Sequence, residues 1–298
     1  MITELNKLNI ALSVNSDRMA PAKMANRSLH RLREIKPMHP LVNIATSAAR
    51  TAGRIILQAM DNMDKVKTSS KGPNDFVTNV DKEAEQAIIN TIHAAYPDHS
   101  ILAEESGEQL GKDEITWIID PLDGTTNFLY ELPHFAISIA VVEKGRVQHG
   151  VIYDPIRDEL FTASRGRGAS VNGKRMRVVD QKVLEKCLLG TGFPFRDTDN
   201  IDTYMGTFKD FMTQCRDIRR AGSAALDLAY VAAGRLDGFW EFGLSKWDIA
   251  AGSLMIQEAG GIIDDMKGKQ QFLETGNVIA APPKVFKAMA QTIRPHIK

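Results

Sequence analysis

The 298-residue sequence predicts an α+β first half and an α/β second half. In the first half, two stretches with helical spacing of apolar residues precede a series of alternating strands joined by glycine turns. In the second half, short apolar strands alternate with helical stretches, which is typical of a sheet covered by helices. We place the boundary between the halves at about residue 190.

Each element of the first half has a local sequence signal. Pro40 suits the first turn of a helix, Asp81 precedes a second helix, and Pro97 ends it. Lys144 and Gly145 supply a turn between two paired strands. These signals predict helices over 41–59 and 82–96, and strands over 135–142, 146–153 and 160–163. The first half is therefore two helices followed by a mostly antiparallel sheet.

Glycine and proline also divide the second half. Gly234 ends an alanine-rich helix, and Pro283 opens the last helix. The pattern predicts helices over 200–213, 223–233, 247–258 and after Pro283, and strands over 217–219, 236–242, 262–264 and 278–281.

Composition excludes few functions, but it bears on the kinds of binding partner and on the cellular compartment. Acidic and basic residues balance at 37 each, so net charge does not indicate nucleic-acid binding or attachment to a membrane. The two cysteines have neither metal-ligand spacing nor a disulfide framework, which favours a reduced, cytoplasmic compartment. No apolar run reaches the roughly 18 residues of a membrane span.

Residues 117–128 carry the most specific signal in the chain. A short apolar strand delivers Asp120 and Asp123, which can converge on one side of a turn with the Leu122 carbonyl oxygen between them. Sites made only of oxygen favour Mg²⁺ or Mn²⁺. The backbone N–H groups of Gly124 and Thr125 would then point at an anion. An ordinary surface turn explains any two of these residues but not their whole order.

Two further acidic elements complete the pattern. Residues 100–107 form an apolar strand that ends in Glu104 and Glu105, and Asp248 lies at the start of a predicted helix. Three separate strand or helix ends thus each contribute an acid. This is expected when loops at one edge of a sheet build a metal site.

Together these runs resemble the inositol monophosphatase family of Mg²⁺-dependent, lithium-sensitive sugar phosphatases, and most of all its bacterial SuhB-like branch. The matching runs are Asp-Pro-Leu-Asp-Gly-Thr-Thr-Asn, Glu-Glu-Ser, Gly-Ser-Ala-Ala-Leu, Trp-Asp-Ile-Ala-Ala-Gly and Ala-Gly-Gly. The resemblance extends from about Met38 to the C-terminus. It implies a five-layered αβαβα sandwich, the sugar phosphatase fold.

The resemblance also implies a set of metal ligands for two to three Mg²⁺ ions per subunit, with Mn²⁺ as a substitute. Glu105, Asp120 and the Leu122 carbonyl would hold the first ion. Asp120, Asp123 and Asp248 would hold the second, and a weaker third ion would use Glu105 and water. Asp120 would therefore bridge two ions.

The nucleophile in catalysis would be a water molecule rather than a protein side chain. By resemblance, Thr125 and Glu105 orient and deprotonate the attacking water, and Asp81 holds Thr125. Because positioning and electrostatic stabilisation dominate phosphoryl transfer, we expect direct attack by water and no phospho-enzyme.

The resemblance places the phosphate against Asp123, Gly124 and Thr125. The remaining substrate contacts would come from Gly222, Ser223, Ala224, Glu241 and Arg219. Arg219 could instead reach a subunit interface. The segment 192–196 departs from animal inositol phosphatases but is familiar among bacterial members, so glycerol phosphates, other sugar phosphates and fructose 1,6-bisphosphate stay open beside inositol monophosphate. Nucleotide 3′-phosphatases are more distant relatives.

Partners and boundaries are also implied by the resemblance. We expect a homodimer, and a second, non-catalytic role with Nus-type factors of transcription antitermination and ribosomal RNA synthesis is the alternative function. We predict that 1–37 form a disordered N-terminal extension without a secretory signal. Residues 38–298 would form the phosphatase-like domain, with halves at 38–190 and 191–298.

Overall fold

Two large sheets and three helical layers organise the chain, seen here in a computed structural model that describes residues 38–72, 75–195 and 198–297. The eight helices are α1 (Pro40–Met60), α2 (Asn79–Ala95), α3 (Thr125–Leu129), α4 (Ile201–Gln214), α5 (Ala224–Ala232), α6 (Lys246–Glu258), α7 (Phe272–Thr275) and α8 (Pro283–Ile293) within those described residues. Four short 3₁₀ turns lie at Met63–Lys65, Leu184–Lys186, Thr198–Asn200 and Arg294–His296. The predicted extension over 1–37 lies outside the described residues.

The described strands form three sheets. Strands of the first half are β1 (Thr68–Gly72), β2 (Asp75–Thr78), β3 (Ser100–Ala103), β4 (Gly107–Gln109), β5 (Ile115–Asp123), β6 (Ala136–Glu143), β7 (Arg146–Asp154), β8 (Glu159–Ser164), β9 (Gly168–Val171) and β10 (Lys174–Arg175). Strands of the second half are β11 (Leu188–Thr191), β12 (Asp217–Arg219), β13 (Gly238–Glu241), β14 (Ile262–Asp264) and β15 (Val278–Ala281).

Strand order differs between the sheets. The eight-stranded sheet runs β10-β9-β8-β7-β6-β5-β3-β4, and all its pairs are antiparallel except β3 with β5. The five-stranded sheet runs β12-β11-β13-β15-β14, with parallel pairs on both sides of β11. The mostly antiparallel first sheet and the mixed second sheet agree with the sequence prediction.

Three apolar cores separate five layers. Helices α1 and α2 pack on one face of the large sheet, where Ile56, Ile88 and Ile119 are fully buried. Helices α5 and α6 fill the space between the two sheets. Helices α4 and α8 cover the outer face of the small sheet. Since each sheet face needs an apolar partner, this order of helix, sheet, helices, sheet and helix is the αβαβα sandwich, and the predicted fold class is confirmed.

Every helix and strand named from sequence is present, with bounds that shift by a few residues. The largest shift is at α2, which begins at Asn79, so that Asp81 lies inside its first turn rather than before it. Thr78 caps this helix through bonds to the Val80 and Asp81 N–H groups. The hairpin of β1 and β2 was not predicted.

The described residues contain no helix that is both long enough and apolar enough to span a membrane.

Candidate active site

One cavity collects the acidic residues from both halves of the fold. Six carboxylic acids line it, together with a single guanidinium group among the described residues. The acids are Glu104, Asp120, Asp123, Asp227, Glu241 and Asp248, and the guanidinium is that of Arg220. Leu122, Gly124, Thr125, Gly222, Ser223 and Ala224 also line the cavity. Thus all the predicted site residues except Asp81, Glu105 and Arg219 lie at its wall.

The turn from β5 into α3 builds the centre of this wall. Strand β5 pairs regularly with β6 up to Asp120, and the register then shifts before Asp123. Pro121, which lies in this interval, has no backbone N–H to offer to a strand ladder. Gly124 follows with φ of 102°, and a Cβ there would lie 3.1 Å from the His134 carbonyl oxygen. Only glycine fits this conformation in this space.

Asp120, Asp123 and Asp248 converge in this cavity. One carboxylate oxygen from each lies within 4.8 Å of those of the other two. A backbone N–H holds one oxygen of every member: Leu122 N–H donates to Asp120 at 2.9 Å, Ala225 N–H to Asp123 at 2.7 Å and Ser245 N–H to Asp248 at 2.7 Å. These bonds fix the orientation of three acids, two from strand β5 and one from helix α6.

Asp123 is also the link between the halves of the molecule. Its Oδ2 accepts both the Ser223 hydroxyl, at 2.6 Å, and the Ala225 N–H. Ser223 caps helix α5, so the start of that helix is attached to the end of β5. Asn127 makes a second attachment, because its amide donates to the carbonyl oxygens of His134 and Ala221.

The acids of the cluster are costly to keep charged together. Burial raises the pKa of Asp120 well above its usual value, and the neighbouring charges of Glu104, Asp123 and Asp248 raise it further. Burial also raises the pKa of Asp123, to about 6, against the hydrogen bonds from Ser223 and Ala225. Converging carboxylates repel one another unless protons or cations neutralise them. The donor set contains only oxygen, so these residues fit Mg²⁺ or Mn²⁺.

Hydrogen-bond partners outside the trio of aspartates hold the Thr125 side chain in place. Its hydroxyl lies 3.0 Å from Asp81 Oδ1 and 3.1 Å from the Leu122 carbonyl oxygen. The other oxygen of Asp81 accepts the Thr78 N–H at 2.8 Å. Asp81 is 1 % exposed, and its burial raises its pKa. Asp81 therefore acts on the cavity through Thr125 and not by direct contact.

The structure brings Glu104 to the cavity instead of the predicted Glu105. Strand β3 runs parallel to β5 with Ala103 beside Ile119, and the Glu104 N–H donates to the Ile119 carbonyl. Glu104 consequently lies next to Asp120. Glu105 follows in the turn after β3 and is absent from the cavity wall. Its backbone N–H is bound at 2.8 Å by Glu85 of α2, on the other side of the sheet.

The same one-residue difference separates Arg219 from Arg220. Arg219 ends strand β12 at the edge of the small sheet, is 53 % exposed, and pairs with Asp217 at 2.5 Å. Arg220 lines the cavity, and its guanidinium carbon lies 5.1 Å from the centre of the Phe193 ring and 5.3 Å from that of Phe195. Arg220, and not Arg219, therefore lines the cavity, and the alternative that Arg219 reaches a subunit interface stays a prediction.

Among the other lining residues that sequence reasoning missed are an acid and an aromatic residue. Asp227 lies in the apolar helix α5 and is 2 % exposed. An acid in an otherwise apolar helix is costly to bury without a purpose, and this was the available signal. Phe76 comes from the unpredicted hairpin and reaches the cavity from β2.

Comparison with known proteins gives a consistent result. The model of a family described as "Inositol monophosphatase family" matches residues 37–298. The protein named Nus factor SuhB from Pseudomonas aeruginosa is 54% identical over 265 residues, which is 87% of this chain and 98% of that protein. Its namesake from Escherichia coli K12 is 54% identical over 258 residues, which is 86% of this chain and 97% of that protein.

Solved structures show the same similarity. The extragenic suppressor protein SuhB of Bartonella henselae aligns with a TM-score of 0.84 at 43% identity, covering 87% of this chain and 100% of that one. The IMPase of Thermotoga maritima aligns with a TM-score of 0.79 at 35% identity, covering 87% and 98%.

Proposed function

The chain belongs to the inositol monophosphatase family, and we propose that it is a Mg²⁺-dependent phosphomonoesterase that hydrolyses myo-inositol monophosphate and related polyol phosphates. Asp120, Asp123 and Asp248, with Glu104 and the Leu122 carbonyl, would hold two to three ions. When bound, these ions would neutralise the phosphate oxygens, acidify the attacking water and stabilise the leaving alkoxide.

One observation carries this proposal, namely the excess of carboxylates in the cavity. Six acids face one arginine at a site where a phosphate dianion must bind. No anion would enter such a cavity unless divalent cations reversed its charge. The charge of the wall therefore supports a requirement for Mg²⁺, and the three converging oxygens offer a place for the ions.

The protein's own groups would position and deprotonate the nucleophile. We assign Glu104 as the base that takes a proton from water, and the Thr125 hydroxyl, held by Asp81, as the group that orients this water. The water oxygen forms a bond to phosphorus while the ester P–O bond breaks in line, and the leaving alkoxide then takes a proton. The acids serve as ligands, so no phosphoryl-enzyme forms.

The proposal is tested by phosphate release from a panel of monoesters. We expect Mg²⁺-dependent release from inositol 1-phosphate and glycerol 2-phosphate, and inhibition by lithium in the millimolar range through the site of Asp120, Asp123 and Asp248. Adenosine 3′,5′-bisphosphate and histidinol phosphate serve as comparison substrates. Release from none of the panel by folded protein that binds Mg²⁺ would refute the phosphatase function.

A second function is supported by the names of the similar proteins. Two relatives with 54% identity over almost their whole length are called Nus factors. We propose as the alternative that this chain binds Nus-type factors of transcription antitermination, independently of catalysis.

This alternative is tested with a variant that has lost a metal ligand. Wild type and Asp123→Asn, each immobilised, would be compared for capture of purified Nus-type factors, with Asp202→Asn as the matched control because Asp202 is exposed on α4. We expect equal capture by all three forms. Capture by none of them would remove the alternative, and capture by wild type and Asp202→Asn alone would make it dependent on the metal site.

A further inference from the structure

One short loop separates the active-site cavity from a second cavity. Gly243 and Leu244 line the first cavity, Phe242 lines both, and Asn277 lines the second, which has a volume of about 500 Å³. This loop joins the end of strand β13 to helix α6, the helix that carries Asp248. The position of the loop therefore bears on the position of Asp248.

Side-chain packing holds the loop on either side of Gly243 but not at Gly243 itself. The Phe242 ring is buried in the core outside the small sheet, and Leu244 packs against the core between the two sheets. Gly243 has no side chain to pack, and its φ of 74° is a value that glycine adopts readily. A hydrogen bond is thus the means that remains to fix this part of the loop.

Two hydrogen bonds from the chain just before strand β15 hold the loop. Regular pairing of β13 with β15 ends at the last residue of β13. Beyond that point the Gly243 N–H donates to Asn277 Oδ1 at 3.1 Å, and the Leu244 N–H donates to the Gly276 carbonyl oxygen at 2.9 Å. The two backbones lie close together, since a Cβ at Gly276 would lie 2.2 Å from the Leu244 carbonyl oxygen. Of the two bonds, the one from Gly243 is accepted by a side chain.

The loop reaches the proposed metal ligands within two residues of Gly243. Ser245, at the end of the loop, donates its N–H to Asp248 Oδ2 at 2.7 Å. Asp248 is 7 % exposed and converges with Asp120 and Asp123. A peptide group that could rotate at Gly243 would let the Ser245 N–H move, and the orientation of the Asp248 carboxylate would change with it.

We propose that Asn277 is a positioning residue for the metal site: by accepting the Gly243 N–H, it fixes the loop that orients Asp248. The inference rests on the proposed function and extends it, because it takes Asp248 as a Mg²⁺ ligand. Groups outside the ligand set tune metal affinity by fixing the direction of the ligand atoms. Asn277 does not line the active-site cavity, so its effect is expected on Mg²⁺ affinity rather than on the chemical step.

Calorimetric titration with Mg²⁺ tests the proposal without substrate. For Asn277→Ala, we expect the dissociation constant for Mg²⁺ to rise roughly 3- to 10-fold, the factor that corresponds to the loss of one hydrogen bond. The Mg²⁺ concentration that gives half-maximal phosphate release from inositol 1-phosphate should rise by the same factor. The value of kcat at saturating Mg²⁺ should stay within about 2-fold of wild type.

Three further variants separate positioning from stability. Asn277→Asp keeps the accepting oxygen and should bind Mg²⁺ within about 2-fold of wild type. Asn277→Leu has nearly the same size without an acceptor, should repeat the rise, and serves if the alanine variant does not fold. Gln271→Ala is the matched control, because the Gln271 amide lines the same second cavity and makes no hydrogen bond within the described residues.

Each outcome has a distinct meaning. Unchanged Mg²⁺ affinity in the alanine and leucine variants, with only a lower melting temperature in EDTA, would overturn the proposal and leave Asn277 a structural role. A loss of affinity in Asn277→Asp equal to that in Asn277→Ala would also contradict it, since the accepting oxygen would then not matter. Wild type that binds Mg²⁺ but releases no phosphate would refute the phosphatase function, while calorimetry would still show whether Asn277 sets the Mg²⁺ affinity.

Discussion

Asp120→Asn is expected to lower kcat/KM for inositol 1-phosphate by at least about 1,000-fold, equivalent to about 4 kcal/mol of transition-state stabilisation. Asp120 is 1 % exposed, and the charges of Glu104, Asp123 and Asp248 all act on it. An amide in its place cannot supply the negative charge that a bridging ligand needs. Phosphate release over a range of Mg²⁺ concentrations measures the loss, which saturating Mg²⁺ should not restore.

The same substitution should have the opposite effect on the protein without metal. Burial first, and then neighbouring negative charges, raises the pKa of Asp120 in the folded state. An acid with a raised folded pKa favours the folded state at low pH, and this contribution is lost as pH rises through that pKa. Metal-free wild type should therefore lose stability as pH rises above about 4, the usual pKa of an aspartate, and Asp120→Asn should lose less.

Thermal unfolding in EDTA and in Mg²⁺ separates these effects. At pH 8 we expect Asp120→Asn to melt above wild type in EDTA, but to gain less from added Mg²⁺, because a ligand that binds more weakly stabilises the folded state less. Asp202→Asn is the control, since Asp202 is exposed on α4. An Mg²⁺-induced shift equal to that of wild type, together with high residual turnover, would show that Asp120 is not a metal ligand.

Periodicity was sufficient to predict most of the fold. Helices α1 and α6 and strands β6, β7 and β15 have strong apolar patterns because they pack on a core. The β1–β2 hairpin has no such pattern, since Thr68, Ser69 and Ser70 are polar and exposed. Its strands form through pairing of Thr68 with Thr78 and Ser69 with Val77, which local sequence does not reveal. Strand β1, whose residues 68–70 are exposed, thus lacks the apolar pattern on which the sequence prediction depends.

The turns singled out from sequence meet at the cavity, but in two of them the lining residue is the neighbour of the predicted one. Asp120, Asp123 and Asp248 have no acidic residue directly beside them in the sequence, so no adjacent acid could be mistaken for them. Glu104 and Glu105 are adjacent and chemically alike, as are Arg219 and Arg220. In both pairs the residue that faces the cavity depends on strand register, which is a property of the sheet. Leu102 packs towards the same core as Ile118, whereas Ile101 and Ala103 belong to the opposite core, and this alternation assigns Glu104 to the face of Asp120.

Substitution of the two glutamates one at a time tests this assignment directly. We expect Glu104→Gln to lower kcat/KM for inositol 1-phosphate by about 100-fold or more, because it removes both a charged ligand and the proposed base. Glu105→Gln should stay within about 3-fold of wild type, since Glu105 is absent from the cavity wall. Glu85 binds the backbone N–H of Glu105, which the substitution leaves intact. Each variant controls the other, as both make the same chemical change one residue apart. The Mg²⁺ dependence of thermal unfolding should separate them in the same order.

A large loss for Glu105→Gln with a normal Glu104→Gln enzyme would mean that the end of β3 turns the other way, and equal losses would mean that both carboxylates serve the site.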